Sequence, residues 1–169
     1  KGVGVEPNCE AAKISSSKQI TIYNSINDLN DEQYDVITLW HVLEHVPNLN
    51  EYFNFFQNHL KEKGTLIIAV PNFKSFDAEH YKQHWAAWDV PRHLWHFSKE
   101  SIKKLAKENN FKLIHIKPMY FDSFYVSLLS EEYKTGSKNI IKAFYIGLLS
   151  NINGIFSKEY SSHIYILKK

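Results

Sequence analysis

The 169-residue chain predicts an α/β fold with a doubly wound, mostly parallel, Rossmann-like sheet. Three observations predict it. Strand-like runs alternate with helical segments along the chain, two of these runs are almost wholly apolar, and the apolar content of 44% is typical of a globular domain. The length fits one domain, and we assign residues 1–169 to it.

The first half of the chain alternates strands with polar connections. Gly2 to Val5 predicts a short strand, and Asn8 is a suitable N-cap for a helix over Cys9 to Ser16. Gln19 to Tyr23 predicts a second strand, before a polar, turn-rich stretch over residues 24–33. The apolar run from Tyr34 to Trp40 predicts a third strand that is buried on both faces.

The second half predicts three helical regions and three strands. Helical spacing covers Asn50 to Leu60, with Gly64 as the helix stop. The later elements are a strand over 65–70, a long irregular segment over 72–97, a helix over 98–109, a strand over 111–117, a helical insert over about 120–158 and a last strand over 162–167. A structureless segment as long as 72–97 is usually functional.

Composition excludes several classes of protein. A formal net charge of +2 gives no electrostatic reason to expect a nucleic-acid partner. The single cysteine, Cys9, is typical of a reducing compartment, so we expect a cytoplasmic protein. No run of about 18 apolar residues predicts a transmembrane span, and the nearest candidate, Ala143 to Leu149, is too short. Because Lys1 precedes a strand already under way, we expect the domain to be truncated at its N-terminus.

Four blocks of sequence resemble a known family. GVGVEPN, YDVITLWHVLEHVPN, LKEKGTLIIAVPN and WDVPRHLWHFSKESIKKL follow one another in the order and at the spacing seen in class I S-adenosylmethionine (SAM) dependent methyltransferases. The broad subgroup that includes the ubiquinone-biosynthesis O-methyltransferases is the most similar. The resemblance covers about residues 2–117.

The resemblance implies a seven-stranded sheet whose last strand is antiparallel, SAM as cofactor and methyl transfer to a small-molecule acceptor. It also implies that the chain starts at the family's second strand, without the first strand and its glycine-rich SAM loop. We therefore expect residues 1–169 to bind SAM weakly or not at all and to be inactive without the preceding segment.

Cofactor contacts are expected just after the first strands. Glu6 follows the first strand, where an acidic residue of a doubly wound sheet accepts hydrogen bonds from ribose hydroxyls. By resemblance, Pro7 and Asn8 lie near the same ribose, Ser25 and Ile26 near the adenine, and Trp40 and His41 beside the sulfonium.

The segment His41-Val-Leu-Glu44-His45 has two interpretations. It matches the H-x-x-E-H pattern of a zinc peptidase, but it follows a strand directly and Pro47 limits any helix to about one turn. In the methyltransferase interpretation His41 is a candidate general base, since histidine titrates near neutrality. Related enzymes hold a divalent metal with carboxylates and a histidine at these positions, and Glu44 and His45 match that pattern. Our assignment contains no metal.

A second chemical cluster follows the fifth strand. Arg92 is a candidate ligand for an anionic group on the acceptor, and His93 and His96 are candidate bases. Trp85 and Trp88 are candidate pocket walls. Packing of the loop onto the sheet is the alternative, and a zinc site from His41, His45, His93 and His96 is a further one.

The apolar stripes of the insert over 120–158 are typical of a core or a homodimer interface. A lid over the acceptor, or a peripheral membrane contact for a lipophilic acceptor, is the sharper alternative. Besides an enzyme, the sequence leaves open a non-catalytic binding module on a degenerate or truncated methyltransferase fold.

Overall fold

The computed structural model describes residues 2–16, 20–30 and 32–169, and it divides into two compact units, 1–34 and 35–169. That both belong to a single domain stays a prediction. In the first unit β1 (Val3–Val5), α1 (Cys9–Ser16) and β2 (Thr21–Tyr23) follow one another. The two strands pair in parallel, with Val5 opposite Tyr23, so their carboxyl ends lie at the same edge. Gln19, where we expected β2 to begin, lies outside the described residues.

The second unit holds the larger sheet. Its elements are β3 (Tyr34–Trp40), α2 (Leu49–His59), β4 (Leu60–Pro71), α3 (Phe76–Tyr81), α4 (Lys99–Glu108), β5 (Lys112–Pro118), α5 (Asp122–Thr135), α6 (Ile140–Ser157) and β6 (Ser162–Lys168). The strand order is β3-β4-β6-β5, and β6 is antiparallel to both of its neighbours. The expected antiparallel last strand is therefore confirmed.

Helix ends follow the expected capping chemistry. Asn8 Oδ1 accepts hydrogen bonds from the backbone N–H groups of Glu10 (3.0 Å) and Ala11 (3.1 Å) and so caps α1. Ser98 and Ser101 form a reciprocal capping box at the start of α4. Both predicted helix starts are confirmed.

Three local predictions were wrong. Helix α2 ends at His59 and not near Gly64, and the strand β4 begins at once at Leu60. Gly64 lies within that strand, where a Cβ would come within 2.6 Å of the Leu60 side chain, so close packing explains the glycine. The segment 72–97 is not wholly irregular, because Ser75 caps the short helix α3.

The third correction concerns β3. It is an edge strand of the four-stranded sheet, and of its residues only Leu39 is buried. Val36 is 51% and Trp40 49% exposed, so the apolar run is not covered on both faces. An edge strand has a neighbour on one side only, which leaves part of its surface open to solvent.

Two apolar clusters stabilise the second unit. The larger joins β3, β4, β6, α2 and α4 around fully buried residues such as Leu66, Ile68 and Leu167. The smaller joins α3, the 85–87 segment and α6 around Tyr81, Trp85 and Ile146. The helical insert is confirmed as two packed helices, since the Ser123 hydroxyl of α5 donates to the Gly147 carbonyl of α6 at 3.0 Å.

Among the described residues α6 is also long and apolar enough, by length and composition, to cross a membrane. Its 18 residues exceed the apolar stretch expected from the sequence. The core helices of soluble proteins pass the same test, but they are mostly buried. Of this helix, 28% is buried in the structure.

Candidate functional site

His41 is the first residue after β3. Its φ of 52° lies in the left-handed region, which non-glycine residues adopt rarely and often at functional sites. Its backbone N–H donates to the Ala69 carbonyl (2.9 Å), near the carboxyl end of β4. The side chain therefore belongs to the sheet edge at which open α/β folds bind ligands.

Two carboxylates hold the His41 ring. Nδ1 lies 3.1 Å from Glu44 Oε1, and Nε2 lies 2.9 Å from Asp122 Oδ2. Because ionised carboxylates only accept hydrogen bonds, both ring nitrogens must carry a proton to satisfy them. Burial, the largest single influence, lowers the pKa of His41, but the hydrogen bonds and charges of Asp122 and Glu44 together raise the pKa to about 9. At neutral pH His41 is thus an imidazolium without a proton-accepting nitrogen, which does not favour a role as general base.

The predicted ribose ligands follow β1. Glu6 directly follows the strand, and its Oε1 accepts a hydrogen bond from the Asn8 N–H at 2.9 Å. The Asn8 side chain caps α1, while Pro7 and Asn8 are both exposed. The loop therefore uses one Glu6 oxygen to fix its own shape and the Asn8 side chain to begin a helix.

The predicted adenine contacts follow β2. Ser25 caps a short 3₁₀ turn, accepting a hydrogen bond from the Asn27 N–H at 3.2 Å. Ile26 is 8% exposed and packs inside. Both residues shape the turn after the strand, at the same sheet edge as Glu6, because β1 and β2 are parallel.

The two histidines of the long segment differ from His41. His93 Nδ1 lies 2.8 Å from the Ala87 carbonyl, and His96 Nε2 lies 2.9 Å from the Trp88 carbonyl. A carbonyl only accepts, so each of these nitrogens carries the ring proton and the other nitrogen keeps its lone pair. Burial lowers the pKa of His93, which keeps that ring neutral. Both rings are therefore able to accept a proton or a cation.

Arg92 is available to solvent. Its side chain is 71% exposed and donates to Asp89 Oδ1 through Nη2 at 2.6 Å and Nε at 3.0 Å. Solvent screens an exposed pair of this kind, so an anionic ligand competes for the guanidinium at little cost.

The two tryptophans have structural contacts. Trp85 is 2% exposed, and its indole N–H donates to Asp77 Oδ2 at 2.7 Å. Trp88 donates to the Lys82 carbonyl at 2.7 Å, and its ring meets Trp85 edge-on with centroids 5.2 Å apart. Both indole N–H groups are thus used within the protein, and what they present to a ligand is ring surface.

A shallow surface pocket, without enclosed space for a water molecule, lies at the carboxyl end of β4. Its lining residues are Pro71, Phe73, Trp85, Ala87, His93, Trp95, His96 and Phe97. The structure thus brings together Trp85, His93 and His96 of the predicted cluster, whereas Trp88 and Arg92 lie outside the lining.

Asp122, Asp77 and Asp89 were not predicted as partners from the sequence. Asp122 stands at the start of α5 and meets His41 only through the tertiary fold. The alternative zinc set of His41, His45, His93 and His96 is not assembled either, because carboxylates occupy both His41 nitrogens.

Comparison with known proteins identifies the protein family to which the chain belongs. The methyltransferase domain family matches residues 1–116, and the chain belongs to that family. Ubiquinone biosynthesis O-methyltransferases from two strains of Rickettsia bellii are 24% identical over 136 residues, which is 75% of this chain and 53% of theirs. The chain spans about half the length of these curated relatives.

Solved structures confirm the predicted fold. A SAM-dependent methyltransferase of Thermotoga maritima, described as a possible histamine N-methyltransferase, superposes with a TM-score of 0.65 at 16% identity, covering 99% of this chain and 72% of that one. An O-methyltransferase of Brevibacillus brevis in complex with S-adenosyl-L-homocysteine gives a TM-score of 0.59 at 16% identity, covering 100% of this chain and 58% of that one.

Proposed function

We propose that the whole protein is a SAM-dependent methyltransferase that acts on a small-molecule acceptor. The observation that carries this proposal is the family match over residues 1–116. The similar proteins include enzymes named for oxygen and for nitrogen methylation, and fold alone does not set the acceptor. The acceptor atom therefore stays open in the proposal.

On the cofactor side the proposal keeps the residues that the resemblance implies. Glu6 uses one carboxylate oxygen on Asn8, and its second oxygen is the candidate acceptor for a ribose hydroxyl. Ser25, Ile26 and Trp40 stay candidates through their places after β2 and at the end of β3. SAM, when bound, supplies the electrophilic methyl group.

On the acceptor side His96 is the proposed base. It lines the pocket and keeps a proton-accepting Nδ1, whereas both nitrogens of His41 are engaged by carboxylates. When SAM is bound, His96 Nδ1 would accept the proton of the acceptor's N–H or O–H as the acceptor atom takes the methyl group. The bond from that methyl group to the SAM sulfur would break in the same step and leave S-adenosyl-L-homocysteine. Exposed Arg92 holds an anionic group of the acceptor. Proximity and alignment of the acceptor with the methyl group supply the rest of the rate enhancement.

The test begins with calorimetric titration of S-adenosyl-L-homocysteine into the 169-residue chain and into a version extended by the sequence upstream of Lys1 in its gene. We expect clear binding by the longer protein only. Equal tight binding to both would contradict our expectation about the glycine-rich loop. No binding to either would favour the non-catalytic binding module.

With an active protein, His96→Gln lowers kcat by roughly 10²- to 10⁴-fold, the usual contribution of a general base. His84→Gln, a change at a partly exposed histidine outside the pocket lining, serves as the control. An unchanged kcat in His96→Gln would exclude His96 as the base.

Finer proposals concern partners and location. Ile141, Phe144 and Phe156 of α6 are 85%, 58% and 82% exposed, which supports either a homodimer interface or a peripheral membrane contact through the insert. Analytical ultracentrifugation and sedimentation with anionic vesicles distinguish the two. The cytoplasmic location stays a proposal that cell fractionation tests.

A further inference from the structure

Helix α6 packs against α3 and α5 through a face that consists mostly of small residues. These buried residues include Ala143, Gly147, Ser150 and Gly154. The Ser150 hydroxyl donates to Asp77 Oδ1 of α3 at 2.6 Å, and a Cβ on Gly147 would lie 2.9 Å from the Phe124 Cα of α5. These contacts fix the rotation of the helix about its own axis, so its large residues cannot turn inward.

The opposite face of α6 is apolar and open to solvent. Six of its large residues are between 41% and 85% exposed: Ile141, Phe144, Leu148, Ile152, Ile155 and Phe156. At about 3.6 residues per turn these six lie within about 120° of the helix circumference, and no charged residue shares that arc. With about 200 Å² for each large side chain, they expose roughly 700 Å², which exceeds the ~300–600 Å² of the largest apolar patch on a typical monomer. A partner that covers this face is therefore expected.

The spacing of the exposed residues is symmetric about Leu148. Reversing the direction of the helix about that residue exchanges Ile141 with Ile155 and Phe144 with Ile152. A two-fold axis at Leu148 therefore sets each of these residues opposite another member of the same set. The face is self-complementary, as the interface between two copies of one chain must be. A lipid surface requires no such symmetry.

Charge also favours a second copy over a membrane surface. Helices that lie on membranes carry lysines and arginines beside their apolar face. The only cation within α6, Lys142, lies with Nζ 3.0 Å from Oε1 of the buried Glu131, and just before the helix Lys138 Nζ lies 3.5 Å from Glu132 Oε2. Residues 120–158 hold four lysines and three acidic residues, a formal charge of +1. The insert therefore attracts anionic lipid only weakly.

We propose that α6 is a homodimer interface, in which the α6 helices of two copies pack antiparallel across a two-fold axis at Leu148. The roughly 700 Å² of apolar surface on each chain approaches the ~800 Å² per partner of a stable protein interface. The antiparallel order sets opposite ends of the two helix dipoles side by side, and it sets Phe144 against Ile152 and not against a second phenylalanine. This inference rests on the finer proposal made above for the insert and selects the homodimer, while no step of methyl transfer depends on it.

Sedimentation equilibrium at micromolar concentrations tests the interface. We expect the 169-residue chain to sediment at twice its mass of 19.8 kDa, and the version extended upstream of Lys1 to be a dimer as well. A monomeric 169-residue chain overturns the proposal. An extended version that is monomeric overturns it too, because the upstream segment would then cover α6.

Vesicles test the membrane alternative. The same proteins are sedimented with vesicles of mixed phosphatidylcholine and phosphatidylserine, and we expect the dimer to stay in the supernatant. Vesicle binding by a monomer, lost in Ile141→Glu, would assign the face to a membrane and overturn the homodimer.

Paired variants test the antiparallel order. Ile141→Glu and Ile155→Lys each place an unpaired charge in the interface, so each is expected to weaken the dimer by more than about 100-fold. In the double variant the introduced carboxylate of one copy faces the introduced ammonium of the other, and roughly tenfold of the affinity should return. A double variant that associates no more tightly than the single variants overturns the antiparallel order.

Controls separate the interface from the fold. Ile141 and Ile155 are 85% and 53% exposed in the single chain, so circular dichroism should show the same secondary structure in all variants. Ile114→Glu, at an isoleucine of β5 that is 39% exposed, should leave the dimer intact. A dimer that survives Ile141→Glu unchanged overturns the proposal. Sedimentation measures no activity, so either result leaves the proposed methyl transfer unaffected.

Discussion

Asp77 is the buried acceptor that joins the elements behind the pocket. The residue is fully buried and accepts hydrogen bonds from Trp85 Nε1 (2.7 Å), the Ser150 hydroxyl (2.6 Å) and the Ser161 hydroxyl (2.8 Å). These contacts join α3 to the 85–87 segment, to α6 and to the residue before β6. Replacing Asp77 by alanine removes all three acceptor contacts at once.

The expected loss follows from those contacts. A buried donor that loses its partner costs about 1–3 kcal/mol. The Ser150 hydroxyl, inside a helix, is able to turn to a carbonyl of its own helix, which recovers part of its cost. The Trp85 indole N–H has no such freedom. We therefore expect Asp77→Ala to lower the free energy of unfolding by about 3–6 kcal/mol, a large share of a typical domain stability.

Urea unfolding, followed by circular dichroism and tryptophan fluorescence, measures the change. Glu79→Ala, at an exposed position of the same helix, is the control and should cost less than about 0.5 kcal/mol. Asp77→Asn keeps one acceptor oxygen and should fall between the two, which gives a measurable value if the alanine variant does not fold. A loss in Asp77→Ala within about 1 kcal/mol of the control would refute the reasoning.

Two further predictions concern stability. His163 is 1% exposed, and burial lowers its pKa, so the folded state binds a proton at this ring less readily than the unfolded chain does. The contribution of neutral His163 to the free energy of unfolding is therefore complete above the pKa of 6.5 in the unfolded chain, and it falls as the pH drops below that value. Between pH 7 and pH 5 the urea midpoint should fall less in His163→Gln than in the wild type, and equal falls would contradict this. Gly147→Ala should lower the unfolding free energy by about 1–3 kcal/mol, because the new Cβ would lie 2.9 Å from the Phe124 Cα in α5. Thermal unfolding measures this loss. Leu148→Ala, at a position that is 41% exposed, is the control variant and should lower the unfolding free energy less.

The sequence predicted those parts of the fold that local chemistry controls. The caps at Asn8 and Ser98 are short-range signals, and the helices after them begin where expected. The helix α3 was missed although Ser75 is the same kind of signal, because the surrounding aromatic and polar residues resembled a loop. The burial of β3 was overestimated since an apolar run does not show whether a strand has two neighbours or one.

The site was predicted less well than the fold. His41 was recognised from its place at the end of a strand, but its ionisation depends on Asp122, which lies 81 residues along the chain. Likewise, the contact between His45 and His93 depends on the path of the segment between them. Long-range pairs of this kind leave no trace in local spacing, so a single sequence predicts which residue types are available and not which of them meet.

The central place of β6 sets an order for folding. Leu66 of β4 pairs with Leu167, about a hundred residues later in the chain, and β5 pairs with the other edge of the same strand. While the chain is being synthesised, β4 and β5 therefore have no common neighbour until residues 162–168 have left the ribosome. Contacts of such long sequence separation form slowly, and the open strand edges are prone to aggregate in the meantime. A stop codon that removes only these few residues would split the sheet at its centre and not merely shorten its edge.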